Sequence, residues 1–135
     1  MGAPYPTSGA IPGAVKVWRR IPQKPSHCIF DENDQAWVPT SAAFKDHPDG
    51  SSMSVAFDVG QSSSEILAGH EGMAVVSLIV NDLRSLGLEV VPAPLEDDEN
   101  HAEVIGHKTK SICRAMAKMA VWVVAPTANP RENVG

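Results

Sequence analysis

The residues best suited to chemistry crowd the stretch His101-Ala102-Glu103-Val104-Ile105-Gly106-His107-Lys108-Thr109-Lys110, where a strand passes through glycine into a helix. The first turn of a helix carries unpaired N–H groups and partial positive charge, so it attracts anions and suits lysine poorly. Lys108 and Lys110 fall in that turn. A bound phosphate or carboxylate would relieve the conflict, with Gly106 letting the backbone approach and Thr109 adding a hydroxyl donor. The ligand-binding set expected here is therefore Gly106, His107, Lys108, Thr109 and Lys110. The segment lacks the upstream glycine of GxxxxGK[ST], and His107 separates its glycine from the lysine, so it is not that phosphate loop. The plainer alternative is that both lysines are solvated and offset the acidic run Glu96 to Glu99.

His101 and Glu103 stand two apart on a strand and so share a face, a geometry that suits a base with its orienting carboxylate or a pair of metal ligands. His70-Glu71 and His107 could join them in space. A zinc site normally wants three or four ligands and nothing in the spacing demands one, so no metal is expected.

A third constellation runs through Arg19 and Arg20, then Pro39-Thr40-Ser41-Ala42-Ala43-Phe44, then Glu103. In that order it resembles the arginine, Ser/Thr-Ser and glutamate sequence of ADP-ribosyltransferases. In that family the arginine holds the nicotinamide dinucleotide, the hydroxyl residue supports it and the glutamate activates the acceptor. The resemblance assigns those roles to Arg19 or Arg20, Ser41 and Glu103, with His101 standing where the family has a second acidic residue.

Other enzyme templates are missing. There is no GxSxG, GxGxxG or HExxH, and no motif names a cofactor. Cys113 falls on or near the apolar side of the last helix, where packing is its expected role. Cys28 follows His27, but neighbours in an extended segment point apart. Trp18, Trp37 and Trp122 are expected to pack in the core. The alternative is an aromatic surface which, with the basic stripe Lys110, Arg114 and Lys118, would meet an acidic partner protein.

Composition bounds these readings. The chain has 135 residues, 43% of them hydrophobic, enough for one compact core. A net charge of −5 argues against a surface devoted to nucleic acid or anionic lipid. Two cysteines in no ligand spacing suit a reducing compartment, and the proline- and glycine-rich start does not read as a secretory signal. The apolar stretches at 73–80 and 119–125 are too short to span a bilayer. A soluble, cytoplasmic protein is expected.

The elements that must position these residues follow from periodicity and punctuation. Strands are expected over 14–21, 36–38, 52–58, 73–79, 88–91 and 101–105, the first two pairing as a hairpin that makes Trp18 and Trp37 cross-strand neighbours. Short helices are expected from Thr40 or Ser41 through Phe44, from Ser63 or Ser64 through Ala68, and over 81–86. Ile112, Ala115, Met116, Met119 and Ala120 recur on one side of a long amphipathic helix spanning 108 to about 123.

The expected fold is thus α+β, a small mixed or antiparallel sheet of five to six short strands packed against that C-terminal helix. A flexible arm over 1–13 and a flexible tail over 126–135 would flank a single domain over 14–125. No motif is specific enough to name a reaction. The function expected first is a binding or accessory domain that recognises an anionic small molecule or partner at 101–110. The alternatives are a nucleotide-using, ADP-ribosyltransferase-like enzyme and an interaction module acting through the last helix.

Overall fold

The computed structural model describes Tyr5 and residues 11–127. Runs of β-branched and aromatic residues make eight short strands there: β1 (Lys16–Ile21), β2 (Cys28–Asp31), β3 (Ala36–Pro39), β4 (Met53–Phe57), β5 (Ala74–Ile79), β6 (Glu89–Pro92), β7 (His101–Ile105) and β8 (Val121–Val124). Helices α1 (Ser63–Ile66), α2 (Val80–Ser85) and α3 (Lys110–Met119) and a 3-10 turn over Ser41–Phe44 complete the set. Six strands form one sheet in the order β6-β7-β4-β1-β5-β8, and β2 and β3 form a separate ribbon. Every pair is antiparallel.

Strand alternation gives the sheet two faces. Val17, Ile21, Met53, Val55, Phe57, Val76, Leu78, Val90 and Val104 fill one, packed with Val80 and Leu83 of α2, Cys113 and Met116 of α3, and Phe44. On the other face a smaller cluster joins Trp18, Ala56 and Val75 beneath Ile66 of α1. Each such side chain withdrawn from water contributes roughly 1.5–3 kcal/mol, so the larger face is the principal source of stability. No described helix is long and apolar enough to cross a membrane.

Several expectations need correction. The first strand does not pair with the segment around Trp37: β1 lies between β4 and β5, and β3 pairs with β2, a strand not foreseen. Trp18 and Trp37 are therefore not cross-strand neighbours. Instead Trp37 packs edge-on to Phe30, and its carbonyl accepts the Nε1 hydrogen of Trp122 at 2.9 Å.

The last helix is also shorter than expected. It runs for 10 residues, Ala120 turns extended at φ −66 and ψ 139, and Val121–Val124 leaves as β8 to pair with β5. Ser62, not Ser63 or Ser64, caps α1, its Oγ accepting from Glu65 N while the Glu65 carboxylate accepts from Ser62 N.

The arm and tail expected at the ends lie largely outside the described residues. Within those ranges Ile11 is buried, Tyr5 packs edge-on to Phe57, and Pro126 is buried.

Candidate functional site

A gap in the sheet makes the site. β1 and β4 pair only at Val17↔Phe57 and Trp18↔Ala56. Beyond that point Arg19, Arg20 and Ile21 stay with β5 while Met53, Ser54 and Val55 stay with β7, so the two central strands part like a fork. The opening is a cleft of about 290 Å³ whose walls include Trp18, Arg19, Arg20, His27, His47, Ser54, His70, Asp98 and His101. Of the five histidines in the chain, four stand around it.

Arg19 alternates onto the core face with Val17 and Ile21, and its guanidinium reaches the fork from beneath. Nε donates to the carbonyl of Ala43 at 2.7 Å and Nη1 to that of Ser54 at 2.6 Å. Both acceptors are neutral. Burial lowers the Arg19 pKa from 12.5 to about 10, the charge of Asp46 partly offsetting the effect. The group thus stays cationic at neutral pH, with donors that find no partner among the described residues.

Arg20 lies on the opposite face, its guanidinium 4.8 Å from the centre of the Trp18 ring and its Nε donating to Ile66 O at 2.8 Å. Burial lowers its pKa too, against the raising influence of Asp98. The ion pairs among the described residues are Arg84–Glu89 and Lys108–Asp46, so neither arginine of the cleft has one. Trp18 is only 6% exposed, and its Nε1 hydrogen has no acceptor among the described residues. A buried donor left unpaired costs about 1–3 kcal/mol.

The histidines are held differently. His101 Nδ1 lies 2.8 Å from the Ala93 carbonyl. A carbonyl only accepts, so that nitrogen carries the hydrogen and the neutral ring keeps its lone pair on Nε2. His47 Nε2 lies 3.1 Å from Ser54 Oγ. His27 Nδ1 lies 2.8 Å from Ser26 Oγ, and burial, with the charges of Lys24, Arg19 and Lys45, holds its pKa below the ordinary 6.5. That ring is neutral at pH 7. No group of three His, Cys, Asp or Glu among the described residues is placed to hold a metal ion.

The residues singled out by sequence fall into separate places. Arg19, Arg20, His70 and His101 meet at the cleft. Glu103 shares a face with His101 and stands opposite Ser54 in the β4–β7 register, but it is not among the cleft residues. Ser41 is elsewhere, in a hollow of about 400 Å³ with Lys45, Asp46, Lys108, Lys110 and Cys113, and at the rim of another with Trp37, Arg114, Lys118 and Trp122. The arginines and Ser41 therefore do not form one site.

At the 101–110 junction the helix begins at Lys110, not Lys108. Thr109 caps it, its Oγ1 accepting from Ile112 N at 3.1 Å. Lys108 precedes the helix and folds back. Its Nζ lies 2.7 Å from Asp46 Oδ1 and 3.2 Å from the Gly106 carbonyl, and its side chain is 3% exposed. Asp46, not the acidic run at 96–99, neutralises it. Gly106 takes φ +124, a conformation other residues rarely adopt, and His107 is exposed.

Sequence reasoning passed over Trp18, His27, His47 and Ser54 as site residues. Each comes from a different stretch of chain, and only the parting of β1 from β4 brings them together. Comparison with protein families, curated proteins and solved structures gives no significant match.

Proposed function

We propose that this chain binds an anionic small molecule, carrying a phosphate or carboxylate group, in the fork between β1 and β4. The supporting observation is a surplus of donors without acceptors. Among the described residues the buried Trp18 Nε1 has no partner, and Arg19 and Arg20, which line the same cleft, have no carboxylate within ion-pair distance. An oxyanion supplies several acceptors at once, and charge-assisted hydrogen bonds to it are about twice as strong as neutral ones. A nucleotide would meet the same chemistry through its phosphate. Burial raises the pKa of both free thiols, Cys28 and Cys113, which makes them poor nucleophiles and leaves them to packing.

A second reading keeps the anion at the junction, where Lys45, Lys108, Lys110 and Ser41 line one hollow around a single carboxylate, Asp46. Thermal melting separates the two. Inorganic phosphate and adenosine monophosphate should raise the melting temperature of the parent chain, by about 2.7 kcal/mol of stabilisation at a hundred times Kd. The cleft requires that Arg20→Gln abolish this shift and that Lys45→Ala with Lys110→Ala preserve it. The opposite pattern assigns the junction, and no stabilisation of the parent by either ligand overturns both readings.

A further inference from the structure

Resting on the anion-binding reading of the cleft, we propose that Ser54 is a nucleophile, activated by His47, that accepts the phosphoryl group of a phosphate ester held against Arg19. Ser54 sits on the limb of β4 that β1 has left, on the same face as Ala56, and lines the cleft. A serine hydroxyl is a weak nucleophile until a neighbouring base takes its proton. The Ser54 Oγ lies 3.1 Å from His47 Nε2. The backbone that carries the ring is held in a turn: His47 N donates to Ser51 O at 2.9 Å, Gly50 N donates to His47 O at 2.9 Å, and Met53 N donates to Asp46 Oδ1 at 2.9 Å. This clasped turn fixes the residue carrying the base relative to the start of β4.

The same residue is bound from its other side by the electrophilic partner of the site. Arg19 Nη1 donates to the Ser54 carbonyl at 2.6 Å, so the guanidinium stands beside Ser54 in the wall of the cleft, where it would stabilise the negative charge that gathers on a transferring phosphoryl group. In the first step the Ser54 Oγ–P bond forms, the P–O bond to the alcohol breaks, and the Oγ proton passes to His47 Nε2 and then to the departing oxygen. In the second, water attacks phosphorus and gives its proton to His47, the P–Oγ bond breaks and Ser54 recovers the proton. The sum is ester plus water giving alcohol plus phosphate, with no change of oxidation state.

The test treats the full chain with diisopropyl fluorophosphate, whose fluoride an activated serine displaces. Intact mass and peptide mapping should find one phosphoryl adduct, on Ser54, that is absent from Ser54→Ala and forms about 10²-fold more slowly in His47→Gln. Circular dichroism confirms that both variants are folded, and mapping in the parent chain locates the adduct independently of either. Absence of an adduct on Ser54 in the parent, or an unchanged rate in His47→Gln, overturns the proposal. Phosphate stabilisation without labelling would leave the binding cleft standing and remove the nucleophile alone.

Discussion

Asp46 connects the junction to the cleft. Its carboxylate takes the ammonium of Lys108 and the amide of Met53, and its charge reaches Arg19. Burial pushes its pKa up, but the Lys108 hydrogen bond, the Met53 amide and the charges of Lys108 and His47 outweigh that, leaving it below the ordinary 3.8. A carboxyl with a depressed folded-state pKa contributes stability that is present above its unfolded value and lost as pH falls through the folded one. Asp46→Asn should therefore melt below the parent at neutral pH, and the gap should close as pH drops beneath 3.8. Melting curves across that window check it. The group is 38% exposed, so solvent screening keeps the gap modest.

Among the elements, the turn from β7 into α3 depends on Gly106. A Cβ there would fall 2.8 Å from Leu88 Cδ2 and 3.2 Å from the Gly87 carbonyl, at φ +124. Gly106→Ala combines a close contact with backbone strain, and chemical denaturation should show a loss of about 1–3 kcal/mol. The glycine stop and β7 itself, His101–Ile105, were legible from the sequence because both signals are local. The end of α3 was not. Its apolar period continues through Met119 and Ala120 and conceals the break, while Val121-Trp122-Val123-Val124 carries strong β propensity that the free edge of β5 satisfies. β2 was missed for a related reason. The four residues Cys28–Asp31 give little periodicity, and only the pairing Cys28↔Pro39 to Asp31↔Ala36 makes them a strand.

Across the whole molecule, the candidate cleft follows from which strands pair and for how long. The chain carries a net charge of −5, yet it gathers four histidines and two arginines that have no ion pair among the described residues where β1 parts from β4. Arg19, Arg20, His70 and His101 stood out in the sequence by type. Their company did not, because His27 and His47 arrive from separate segments and the fork is a property of long-range register. His107 lies outside the cleft, at the junction, and serves as an internal control. The most direct test is therefore side-chain NMR of histidine-labelled protein titrated with inorganic phosphate. A site in the fork predicts saturable shifts in His27, His47, His70 and His101, with His107 unmoved. Shifts confined to His107, or no histidine responding at all, would contradict it.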